Sequence, residues 1–149
     1  MSVVAIAMCP LIRAATASGI VFFVPGYELQ SHPTVVALHD PSQPMFVKVA
    51  FWAGAVLIAP VAEEFFFRGL LQSFLVTVFR SRWAAIVVAS ILFGSIHYGQ
   101  PSAIPALTVL GILMGFAYEK TGSLVWPVAI HAAFNLKTLV WDALGGGAI

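Results

Sequence analysis

The stretch from Trp83 to Tyr118, WAAIVVASILFGSIHYGQPSAIPALTVLGILMGFAY, contains no Asp, Glu, Lys or Arg in 36 residues. As a single helix it would run roughly 54 Å at about 1.5 Å per residue. The hydrocarbon core of a bilayer is only about 30 Å thick. The stretch therefore has to turn back on itself, and Gly99-Gln100-Pro101-Ser102 is the turn signal. This predicts two apolar helices, over about 83–98 and about 103–118. Such long apolar runs lack strand alternation, and only helices or closed barrels satisfy the backbone in lipid.

Composition agrees. Of 149 residues, 60% are hydrophobic and 9% charged, against about 25% charged in a soluble domain. Mean hydropathy is +0.98. So few charges cannot cover a water-facing surface, so the chain reads as a membrane protein. Net charge is +1, which gives no basic face for nucleic acid. Cys9 is the only cysteine, so an intrachain disulfide and a cysteine zinc cluster are both excluded. It reads as a small buried apolar residue.

The remaining spans follow from similar breaks. Ser2 to Val24 is a first span, retained rather than cleaved as a signal peptide, and broken by Arg13. Pro25 to Pro44 is a Pro-rich loop, in which His32 and His39 have no convincing spacing. Met45 to Ala59 is a short span, and Pro60 starts or kinks the next helix, over about 61–79. Arg80-Ser81-Arg82 closes that helix, and Gly122 suits a helix C-cap. Ser123 and Pro127 suit the start of a last helix that runs to about Leu144 before three glycines. The fold class is an all-α, polytopic transmembrane bundle of five or six helices. Residues 1–44 form an N-terminal hydrophobic segment and loop, and 45–149 the core. Alternating the spans puts Lys48, Arg80, Arg82 and Lys120 on one side, cytoplasmic by the positive-inside rule.

Three charges sit where lipid should exclude them, in Ala59-Pro60-Val61-Ala62-Glu63-Glu64-Phe65-Phe66-Phe67-Arg68. A charge at mid-membrane costs roughly 2.5–3.5 kcal/mol to insert. Glu64 and Arg68 are four apart and can pair along one helix face. Glu63 is turned about 100° from Glu64 and roughly 140° from Arg68, which leaves it free for chemistry. His97 closes Phe93-Gly94-Ser95-Ile96-His97, and Phe93 shares its helix face. His131 and Asn135 lie four apart on one face of an apolar helix. Each has a plain structural reading, interfacial for His97 and interhelical hydrogen-bond glue for His131 and Asn135. Together they supply what is needed to activate a water, hold an oxyanion and protonate a leaving amine. Gly111-Ile112-Leu113-Met114-Gly115 allows close helix approach, inside the bundle rather than at a dimer interface.

These residues, in this order, resemble the CPBP family of intramembrane proteases, also called the CAAX protease and bacteriocin-processing or Abi family. The family pattern is Glu-Glu-x-x-x-Arg, then Phe-x-x-x-His, then His-x-x-x-Asn or Asp. It stands here at Glu63, Glu64 and Arg68, at Phe93 and His97, and at His131 and Asn135. The match covers about residues 50–145, and the helices that precede the core are reduced. The resemblance implies that Glu63 and His97 activate a water for attack on a peptide carbonyl. It implies that His131 and Asn135 stabilise the oxyanion, while Glu64 and Arg68 organise the helix. It leaves two cofactor states open. One is metal-free; the other is a divalent metal such as zinc on Glu63, His97 and His131. The implied substrate is a membrane-associated protein or peptide, and the implied location is the cell membrane. Two other function classes use the same polar cluster: a non-catalytic membrane scaffold, and a small ion or proton pathway.

Overall fold

The computed structural model describes residues 2–24 and 33–144, with side chains from residue 9 and from residue 36 onward in the two segments. Six helices make up the described chain: α1 (Ser2–Phe23), α2 (Pro33–His39), α3 (Met45–Phe79), α4 (Arg82–Ser95), α5 (Ile104–Thr121) and α6 (Val125–Ala143). A 3₁₀ turn, Pro101–Ala103, leads into α5. There is no strand among the described residues. The charge-free stretch is the hairpin α4–α5, which packs more extensively than any other helix pair.

Two sequence signals act as local chemistry requires. Gly122 closes α5 in the left-handed region at φ 64°, its N–H donating to Tyr118 O at 2.8 Å. Ser81 caps α4, its hydroxyl accepting from Ala84 N at 3.3 Å.

Four expectations need correction. Arg13 does not break the first helix, because α1 runs uninterrupted through it and turns Arg13 toward the interior cavity described below. The loop expected over Pro25 to Pro44 contains α2, which begins at Pro33, where a missing N–H is harmless. Residues 25–32 of that loop, and the glycines at 145–147, lie outside the described residues. The two helices expected on either side of Pro60 are one helix, α3, of 35 residues. Proline lacks an N–H and crowds the preceding turn, and α3 absorbs this in a π-helical stretch, Gly54–Ile58, just before it. As a consequence, Lys48 and Arg80 lie at opposite ends of the same helix rather than on one side of the bundle.

Two helical segments, Met45–Phe79 and Pro101–Thr121, are long and apolar enough to cross a membrane. Burial along α3 is inverted relative to a soluble protein. Glu64, Arg68 and Gln72 are fully buried, while Phe65, Phe66, Leu70 and Phe74 are half or more exposed. One apolar cluster fills the interior, formed by Cys9 of α1, Phe67 of α3, Phe93 of α4, and Ala106, Leu110 and Met114 of α5.

The glycine pair of α5 works inside the bundle. A Cβ on Gly111 would lie 2.9 Å from Ser90 Cβ of α4, and one on Gly115 would lie 2.7 Å from Gln72 Oε1 of α3. Gly111 needs hydrogen in place of a side chain for α4 and α5 to meet, while at Gly115 a methyl would push the Gln72 amide and the Ile86 side chain aside.

Candidate active site

A second π-helical stretch, Phe65–Gln72, follows Glu64 in α3 and carries Arg68 and Gln72 on its buried face. Arg68 Nη1 donates to Glu64 Oε1 at 2.9 Å, and both side chains are fully buried. Its Nη2 donates to Gly111 O at 3.0 Å. One turn on, Gln72 Nε2 donates to Gly115 O at 3.2 Å and to Glu119 Oε1 at 3.0 Å. Residues four apart on α3 therefore pair with carbonyls four apart on α5. The glycines are what let the donors reach these carbonyls.

Glu64 Oε1 also faces His131 Nδ1 at 2.9 Å. Because Glu64 is a carboxylate paired with Arg68, it accepts, and Nδ1 carries the proton. That leaves Nε2 of His131 facing Glu63, 3.9 Å from Oε2. In the turn just after α4, His97 Nδ1 donates to Phe93 O at 2.9 Å. A carbonyl only accepts, so the lone pair of neutral His97 is on Nε2. In both histidines a local or buried acceptor sets the tautomer.

Phe93 joins these groups. Its ring lies 4.8 Å from the Arg68 guanidinium carbon, and its centroid is 5.3 Å from that of His97 and 5.5 Å from that of His131, both edge-on. It is fully buried. Sequence reading placed Phe93 on the face of His97 but gave it no contact with Arg68 or His131. Gln72 and Glu119 were also missed, because only the α3–α5 register brings them together.

Glu63, His97, His131 and Asn135 all line one cavity of about 750 Å³. This is ample for a peptide segment, since ligand pockets commonly span about 300–1,000 Å³. Cys9, Pro10 and Arg13 bring α1 into the wall, and Phe51, Ile58, Leu107 and Phe134 make much of it apolar. Three polar atoms of wall residues are buried without a hydrogen-bond partner: Glu63 Oε2, Arg13 Nε and Gln100 Nε2. Such atoms are costly unless a ligand or water reaches them.

Asn135 lines this wall, and its Nδ2 donates to Ala55 O in the first π-helical stretch, at 2.8 Å. Among the described residues, no group of three or more His, Cys, Asp and Glu side chains is arranged to hold a metal ion. Glu63, His97 and His131 share the cavity without forming such a cluster. Outside the site, His39 Nε2 meets Asp142 Oδ2 at 2.6 Å and ties α2 to the end of α6.

A helical bundle with buried carboxylate, guanidinium and imidazole groups around an apolar cavity fits the class of membrane-embedded peptidases. The family model described as type II CAAX prenyl endopeptidase Rce1-like matches residues 45–137, and the chain belongs to this family of peptidases. No curated protein and no solved structure matches it.

Proposed function

We propose that this protein is a multi-pass intramembrane endopeptidase that hydrolyses a peptide bond of a membrane-associated protein or peptide. The observation that carries the reading is the difference between the two adjacent glutamates. Glu64 is fully buried and holds Arg68 and His131. Glu63 presents an Oε2 without a hydrogen-bond partner on the cavity wall that His97 and His131 share. The inverted burial of α3 supports a lipid surround, here read as the cell membrane.

Glu63 and His97 hold the attacking water, with Glu63 Oε2 and His97 Nε2 as acceptors. The water oxygen attacks the scissile carbonyl carbon and one of its protons passes to Glu63. His131, fixed by Glu64 through Nδ1, and Asn135 stabilise the oxyanion, a contribution often worth about 3–4 kcal/mol. Glu63 then delivers its proton to the departing nitrogen as the C–N bond breaks. The unpartnered donors of Arg13 and Gln100 suit carbonyl oxygens of a bound peptide. If a metal is present, it would supply a Lewis acid for the carbonyl and a more acidic water. Glu63, His97 and His131 are the side chains within the cavity wall that would hold it.

Glu63→Gln in reconstituted membranes tests the assignment. The change is nearly isosteric, so the unfolding midpoint should hold while kcat on a fluorogenic peptide falls by at least about 10²-fold, the scale of lost general-base catalysis. Undiminished hydrolysis would remove Glu63 from the mechanism. Metal analysis of the same preparation should find activity in metal-free protein. Activity lost on chelation and restored by zinc would instead place a metal on the water.

A further inference from the structure

Asn135 is the one cavity-lining polar group in the motif whose side chain is directed at backbone of another helix, and the reason lies in Pro60. In the π-helical stretch Gly54–Ile58, Ala59 N–H donates to Gly54 O, five residues back. Continuing that pattern, Ala55 O should receive the N–H of residue 60, which proline lacks. The α-helical donor for Ala55 O would be Ala59 N–H, already engaged on Gly54 O. Ala55 O is therefore left without a backbone donor by the combination of a π-turn and a proline. Asn135 Nδ2 fills that place at 2.8 Å, from 80 residues away in the chain.

We infer that Asn135 is a positioning residue that supplies the hydrogen bond Pro60 withholds and so holds the π-turn that aims Glu63 into the cavity. The inference rests on the peptidase reading for its link to activity. A π-turn inserts one residue relative to an α-helix, which rotates everything after it by about 100°. Glu63 lies one turn beyond Ala59, so its direction depends on this turn being kept. The competing state is an ordinary α-turn, in which Ala59 N–H returns to Ala55 O. Asn135 stabilises only the π form, since only there does Ala55 O lack a donor. This role acts on the chemistry through Glu63 and uses one of the two Nδ2 hydrogens, which leaves the other for the oxyanion contact that the resemblance implies.

The test is a double-mutant cycle of Asn135→Ala and Pro60→Ala in the full chain, reading the thermal unfolding midpoint together with kcat and KM. With Pro60 present, Asn135→Ala should lower the midpoint by several degrees. It should also lower kcat by about 10²-fold, the scale expected when a reacting group is misplaced by about 1 Å. In the Pro60→Ala background residue 60 supplies an N–H. There Asn135→Ala should leave the midpoint nearly unchanged, and its effect on kcat should shrink. An equal loss of midpoint in both backgrounds would overturn the proposal, and this comparison needs no substrate. A relieved midpoint with an unrelieved loss of kcat would overturn the positioning role and put Asn135 on the reacting carbonyl instead.

Discussion

Arg68 makes two hydrogen bonds and two ring contacts from a site without solvent: Glu64 Oε1, Gly111 O and the faces of Phe93 and Phe67. Removing one member of a buried ion pair strands the other, at a cost of about 3–5 kcal/mol. Arg68→Leu should therefore lower unfolding stability by about that amount in chemical denaturation. Arg68→Lys keeps the charge but has one compact head for two acceptors on different helices. It should lose less, about 1–3 kcal/mol, the cost of one unsatisfied buried partner. The Glu64–Arg68 pairing was legible because it spans four residues of one helix. The His131 contact with the same Glu64 oxygen was not, since its partners are 67 residues apart and nothing local specifies which carboxylate the ring meets.

Helix α5 is defined by what its glycines omit. Alanine in place of a helix-interior glycine gains up to about 1 kcal/mol in propensity, while overpacking a tight contact costs about 1–3 kcal/mol. At Gly111 the neighbours are Cα and Cβ of Ser90, which cannot rotate away. Gly111→Ala should be net destabilising and should weaken the Arg68–Gly111 contact. At Gly19 in α1 a Cβ would meet nothing within 4 Å, so Gly19→Ala should be neutral or stabilising. Comparing the two unfolding midpoints checks the sign of each. The GxxxG spacing announced close approach, but the helices it would approach were decided by the bundle. Pro60 likewise announced an interruption. Whether that meant a new helix, a kink or a π-turn inside one helix depended on a donor arriving from α6.

At the scale of the whole molecule, α3 exposes many apolar side chains and buries Glu64, Arg68 and Gln72, the arrangement expected of a helix set in lipid. Val61, near the middle of α3, is 54% exposed, and Phe46, near its start, is 75% exposed. In a bilayer, Val61→Asp should cost about 2.5–3.5 kcal/mol of insertion, and Phe46→Asp, at the helix end, much less. Membrane-fraction yield after carbonate extraction should fall for the first and hold for the second. Equal yields would mean that α3 does not lie in lipid. The cavity belongs to this scale too. Its wall draws on α1, α3 and α6, on the α4–α5 turn and on α5, so no single segment defines it.

Composition and patterning alone determined that this chain is an apolar helical bundle, because hydropathy, missing charge and turn residues are properties of contiguous sequence. They also singled out Glu63, Glu64, Arg68, His97, His131 and Asn135, since polar groups in an apolar chain stand out without any coordinates. Only the tertiary structure decided how those groups divide. Glu64 Oε1 lies between Arg68 and His131, Glu63 Oε2 is without a hydrogen-bond partner on a cavity wall, and Asn135 is directed at Ala55 O. The physical reason is that hydrogen bonds act over about 3 Å, and helix register sets which atoms come that close across the bundle.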